Sequence, residues 1–168
     1  MLGALWLASL MAVAVFVAVS IHPRGVVVPL QPASPGKIVL TVESEGQPTL
    51  FDMRTLEALP QRTYHLTTPW YLRPVSFQGP LMRDVLANAG VRGTHIEAIA
   101  MNGFTADIPF AHAEAQDAIV ALRMDGKPMS ARDKGPLFMI YPYDRLPEGE
   151  RDEYFARSVW QLDVLRVK

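Results

Sequence analysis

The chain has 168 residues, a formal net charge of −1 and no cysteine. That length suits one domain, and a near-neutral balance favours no nucleic-acid partner. Without cysteine there can be no disulfide, thiolate metal site, iron–sulfur cluster or cysteine nucleophile.

Leu2 to Ile21 carry no charge and are almost all apolar. The run is long enough to span a bilayer and is also similar to a secretory signal. Ala18-Val19-Ser20 offers small residues for a cut before Ile21, although no basic residue precedes the run. Residues 1–21 are therefore expected to be an export signal or a retained N-terminal anchor, which puts the domain in the periplasm. Residues 22–36 hold Pro23, Pro29, Pro32 and Pro35 and read as an extended tether. The folded domain is expected over residues 37–168.

Lys37–Val42 is β-branched and predicts a first strand. Asp52 can cap a short helix over Met53–Leu59, which Pro60 ends. Thr63–Thr68 reads as a strand, broken by Pro69-Trp70-Tyr71. Pro80 suits a first helical turn, and Leu81, Met82, Val85, Leu86 and Ala89 form one apolar stripe that Gly90 stops. Thr94–Met101 predicts a strand with both faces covered. Asn102-Gly103 signals a hairpin, and Phe104–Pro109 returns from it. Phe110–Gln116 is a short helix or turn, and Ala118–Met124 a strand. Asp125-Gly126 is a second tight turn. Leu137–Tyr141 reads as a buried strand, Asp144–Asp152 as a charged loop, Tyr154–Arg157 as a helical turn and Ser158–Val167 as a last strand. About seven strands and two to four short helices give a sheet-dominated α+β domain.

Little of the familiar chemistry is present. Histidines fall at positions 22, 65, 95 and 112, none spaced as a metal pair. There is no Gly-x-Ser-x-Gly elbow and no Gly-rich phosphate loop. The carboxylates between 144 and 153 look like solvated surface. Three stretches remain. Arg132-Asp133-Lys134-Gly135 sits at the mouth of an apolar strand and suits a small polar ligand, or else is a wet hairpin in which Arg132 pairs with Asp133. Thr67-Thr68-Pro69-Trp70 is a strand-end site or a core tryptophan with turn threonines. Asn102-Gly103-Phe104 is a hairpin tip or a ligand contact.

Taken in order, these stretches resemble a family. A strand ends near Thr67, then come Trp70, Phe77-Gln78-Gly79-Pro80-Leu81 with Val85-Leu86, and Asn102-Gly103-Phe104 with Asp107-Ile108-Pro109. Leu122 and Met124-Asp125-Gly126-Lys127-Pro128-Met129 follow, then Asp133-Lys134-Gly135 and the strand over 136–142. This resembles the molybdopterin-binding domain of the sulfite oxidase family over about residues 37–168, and implies that fold as a single domain. In the enzymes of that family the strand before the Trp ends in a cysteine that ligates molybdenum. Here Leu66–Thr67 stand there. The family's His before the late glycine is Lys134, and its following Arg is Phe138 or Met139.

The chain further resembles short, exported, cysteine-free pterin-binding proteins of the PruR type. That resemblance implies a non-catalytic sensor that binds a metal-free reduced pterin, of the tetrahydropterin or dihydropterin type. It also implies a partner: the periplasmic region of a membrane diguanylate cyclase or phosphodiesterase, which makes or degrades cyclic di-GMP. The pterin-binding residues expected are Thr67, Thr68, Trp70, Asn102, Arg132, Asp133, Lys134, Gly135 and Tyr141, with no catalytic residue and no metal ligand. Trp70 or Tyr141 would stack on the ring. Asp133 would accept two hydrogen bonds from its 2-amino edge. Arg132, Lys134, Asn102 and Thr68 would donate to it. The alternatives are a molybdenum oxidoreductase that holds metal–pterin through cofactor sulfurs alone, and a cofactor-free interaction module of the same fold.

Overall fold

The computed structural model describes residues 36–168, which belong to one unit, Ser34–Lys168. The expected leader at 1–21 and nearly all of the tether lie outside the described residues. Among those residues the chain forms eleven strands and four short α-helices, more strands than the seven expected. The predicted strand over 118–124 splits in two, and Thr49–Asp52, Val75–Pro80 and Lys127–Pro128 add strands that were not predicted.

The larger sheet orders its strands β2 (Thr49–Asp52), β1 (Ile38–Glu43), β11 (Leu162–Val167), β5 (His95–Ala100), β6 (Thr105–Pro109). β1 and β11 run parallel, pairing Thr41 with Val164, and the other pairs are antiparallel. β5 was expected to be covered on both faces. Instead Ile96, Ala98 and Ala100 are buried while Glu97 and Ile99 are half-buried, so only one face meets the core. The Asn102-Gly103 turn joins β5 to β6 as its chemistry demands. Gly103 takes φ +84°, and the Asn102 side-chain oxygen accepts from the Phe104 amide at 3.0 Å.

The second sheet orders β3 (Gln61–Leu66), β4 (Val75–Pro80), β8 (Arg123–Met124), β9 (Lys127–Pro128). Asp125 and Gly126, at φ +48° and +76°, make the tight β8–β9 turn. The expected strand over 118–124 is two pieces, β7 (Ile119–Ala121) and β8, separated at Leu122. β7 pairs with β10 (Phe138–Ile140), whose three residues are fully buried. β10 also accepts the chain on its other side, where the Met139 amide donates to Val159 at 2.9 Å.

Helix α1 (Met53–Ala58) starts at Asp52, whose carboxylate accepts from the Thr55 amide at 2.7 Å. Helix α2 (Met82–Ala89) ends at Gly90, φ +69°, and buries Met82, Val85 and Leu86. Pro80 does not sit in its first turn. It closes β4, and Leu81 is the cap residue. Helix α3 spans Phe110–Ala115 and α4 spans Arg151–Ala156. The charged run over 144–152 is not a plain loop. Short 3₁₀ turns at Tyr143–Arg145 and Glu148–Glu150 lead straight into α4. The last strand begins at Leu162 rather than Ser158, because Gln161 takes φ +50°.

The core joins Leu40, Phe51 and Leu56 to Phe77, Ile96, Ile108 and the β7 and β10 residues. Among the described residues, no helix is long and apolar enough to cross a membrane.

Candidate functional site

β3 ends at Leu66, so Thr67, Thr68 and Pro69 leave the sheet together. Thr68 is 6% exposed, and its hydroxyl has no hydrogen-bond partner. Opposite comes helix α4. Arg151 and Phe155 are four residues apart and so share one helical face. Arg151 Nε is also buried without a partner. The 3₁₀ turn before the helix adds Tyr143 and the exposed Asp144. Thr67, Thr68, Pro69, Tyr143, Asp144, Arg151 and Phe155 together line a pocket of about 290 Å³. That is near the lower end of the range for small-molecule sites, about 300–1,000 Å³.

The pocket's apolar wall is closely packed. The Tyr143 and Phe155 ring centroids are 4.5 Å apart. Ser158 Oγ donates to the Tyr154 carbonyl at 2.7 Å, so its contact at 2.6 Å with Tyr143 must be accepted from the phenol. Tyr143 therefore offers the pocket a ring rather than a free hydroxyl. Burial, the largest influence on it, pushes its ionisation well above the usual phenol range.

Phe155 also borders a second, apolar pocket of about 150 Å³ with Trp70, Phe104, Ala156, Ser158 and Trp160. Trp70 is half-buried, and its ring lies 5.2 Å from Phe138, 5.6 Å from Phe155 and 6.2 Å from both Tyr143 and Trp160. It is thus a packed aromatic that also lines a pocket.

The late motif reaches this second pocket through Trp160. Lys134 takes φ +69° and holds its ammonium 4.6 Å from the Trp160 ring centre and 5.7 Å from that of Tyr71. Gly135 follows, joined by a cis bond to Pro136 and pressed against the Met129 backbone so tightly that no Cβ would fit. Asp133 does not pair with Arg132. Its carboxylate accepts from Ser130 Oγ at 2.7 Å, and both Arg132 and Asp133 are exposed. The Tyr71 hydroxyl is buried and unpartnered. Burial raises its pKa, with a further push from the nearby Asp133 charge.

The structure therefore brings Thr67 and Thr68 into one pocket, places Trp70 on the adjoining one, and sets Lys134 over the Trp160 ring and Gly135 against Met129. Asn102 caps its own hairpin, while its neighbour Phe104 lines the apolar pocket. Tyr141 stands apart. It is fully buried, its ring packs edge-on against Tyr154 at 5.0 Å, and its hydroxyl has no partner. Its ring faces core rather than a cleft, so stacking on a ligand does not fall to it. Sequence reasoning missed Tyr143, Asp144, Arg151, Phe155 and Trp160. The one signal for Arg151 and Phe155 was their helical spacing, hidden within a run of charges.

A family model for the oxidoreductase molybdopterin binding domain matches residues 27–144. The chain belongs to that family. Among solved structures it is similar to the sulfane dehydrogenase SoxCD from Paracoccus pantotrophus, with a TM-score of 0.57 and 15% identity. At that identity the likeness is one of fold, the sulfite oxidase-type molybdopterin-binding fold expected above. The match covers 76% of this chain and 37% of that one, so the chain spans little more than a third of the larger protein. No curated protein sequence matches it.

The donor set suits a pterin better than a thiolate-held metal. Thr68 and Arg151 line one pocket, and each carries a buried donor, Oγ1 and Nε, that has no partner in the protein. The sequence offers no thiolate. Among the described residues, no three His, Cys, Asp or Glu side chains cluster to hold an ion.

Proposed function

We propose that this chain is a non-catalytic pterin-binding protein, exported to the periplasm, that senses a metal-free reduced pterin. The observation that carries the reading is the shared pocket of Thr68 and Arg151, whose buried donors have no partner in the protein. A buried group left unsatisfied costs about 1–3 kcal/mol, and a flat polar ligand that turns these two side chains toward the pocket would recover that cost. Family membership supplies the pterin class, and the missing cysteine argues for recognition rather than oxygen-atom transfer. The regulatory output is a membrane-bound enzyme that makes or degrades cyclic di-GMP. It rests on the resemblance to PruR-type proteins.

The test uses protein purified from its native compartment. Denaturing release should yield a fluorescent pterin after oxidation, with no stoichiometric molybdenum. Adding a tetrahydropterin to ligand-free protein should raise its melting temperature. Stoichiometric molybdenum would reverse the reading in favour of an oxidoreductase. One observation favours a second reading, a cofactor-free interaction module: Trp70 is packed among four protein rings. Absence of any thermal shift with pterins would favour that module.

A further inference from the structure

We infer that Asp144 and Arg151 read the pyrimidinone edge of the ligand and so select a 2-amino-4-oxo ring. The inference rests on the pterin reading above and names the residues that make it specific.

The pocket's polar inventory is short and directional. Arg151 lines the pocket and its guanidinium can only donate, with Nε buried and unpaired. The Thr68 hydroxyl can donate too, and it is equally buried and unpaired. Asp144 lines the same pocket and is exposed, and a carboxylate can only accept. The Tyr143 hydroxyl is engaged with Ser158 and does not compete. Thr67, exposed on the same pocket, can donate or accept, so the directional demand on a ligand comes from the other three: an acceptor for Arg151 and Thr68, and donors for Asp144. Its body must be flat and apolar-faced, to lie along the Phe155 ring that Tyr143 backs.

A pterin carries that array along one edge. Its C4 carbonyl is the acceptor, and the adjacent N3–H and C2 amino group are two donors in line. The carbonyl goes to Arg151 and Thr68, and the two donors go to the Asp144 carboxylate as a charge-assisted, bidentate pair. Lumazine is the same bicycle with an oxo group at C2. It would set a carbonyl lone pair against the carboxylate, a repulsive element of the kind that creates specificity.

Asp144→Asn tests this directly. An asparagine side chain accepts once and donates once, which matches N3–H and the C2 oxo group of lumazine rather than the two donors of a pterin. The full chain, stripped of ligand, is titrated anaerobically with a tetrahydropterin and with the corresponding tetrahydrolumazine, and quenching of tryptophan fluorescence is followed. The wild type should bind the pterin at least about tenfold more tightly, and Asp144→Asn should abolish or invert that preference. Arg151→Gln should weaken both ligands alike by about tenfold, since it removes the contact to the shared C4 carbonyl. If the wild type binds the pterin and Asp144→Asn keeps the full preference, the edge-reading assignment is wrong and the pterin reading stands. If the wild type binds neither ring, both are wrong.

Discussion

The backbone of Gly79 lies directly against the Val120 carbonyl, with no room for a side chain between them. β4 and β7 meet there, with Leu81 bridging Ile119 on one side and the Leu122 amide donating to the Gln78 carbonyl at 2.8 Å on the other. A methyl at residue 79 would overlap backbone atoms, which cannot rotate away as a side chain would. Gly79→Ala should therefore cost about 3 kcal/mol, the upper end of the range for overpacking. Gly90→Ala is the control. Its site at φ +69° is open, so only left-handed strain of about 1 kcal/mol is expected. Denaturant midpoints of the two variants check the difference.

The Tyr143–Ser158 contact is asymmetric, and stability should show it. Ser158→Ala leaves the phenol of Tyr143, only 1% exposed, without its acceptor. The expected loss is about 1–3 kcal/mol. Tyr143→Phe removes the phenol but leaves Ser158 still donating to the Tyr154 carbonyl at 2.7 Å. That variant should lose about 1 kcal/mol or less. Equal losses from thermal melts would mean that the hydroxyl pair does not carry the wall of the pocket.

What could be read from the residues was what local chemistry decides. The Asn102-Gly103 and Asp125-Gly126 turns, the Asp52 cap and the α2 stripe each follow from a few adjacent side chains. β4 was hidden, because Val75–Pro80 mixes Ser, Gln, Gly and Pro, and its Gly79 answers to a strand some forty residues later. The site divided in the same way. Thr67 and Thr68 stood out as hydroxyls at a strand end. Asp144 and Arg151 did not, because a charge run looks alike whether it is solvated or folded over a pocket. Tyr141, expected to stack on the ligand ring, lies fully buried, because it directly follows the strand β10 that pairs with β7 in the core.

Asp52 should make the fold sensitive to acid in a narrow window. The Thr55 hydroxyl, then the Thr55 and Gly36 amides, donate to its carboxylate and hold its pKa near 2, against an ordinary 3.8. The ionised form is favoured in the folded state. Its stabilisation is therefore fully present above the ordinary value and lost as pH falls through the folded one. Melting temperature should drop between about pH 4 and pH 2 in the wild type. Asp52→Asn should melt lower at neutral pH yet show a flatter profile across that window. A parallel decline in both proteins would assign the acid sensitivity to other carboxylates.

Lys134 carries two opposed effects that a pair of variants separates. Its backbone sits at φ +69°, which strains any residue with a Cβ, and its ammonium rests 4.6 Å from the Trp160 ring centre. Lys134→Ala keeps the strain and loses the cation–π contact, so it should cost about 0.5–1 kcal/mol. Lys134→Gly loses the same contact but relieves strain of about 1 kcal/mol, and should come out close to neutral. Both should alter the tryptophan emission, because the charge beside the Trp160 indole is gone. The Lys134 carbonyl accepts from the Gln161 amide at 2.9 Å, a bond neither substitution removes, so the 134–161 crossing should survive in each. If Lys134→Gly were instead as destabilised as Lys134→Ala, the left-handed turn would be free of strain, and the ammonium's contact with Trp160 would account for the whole loss.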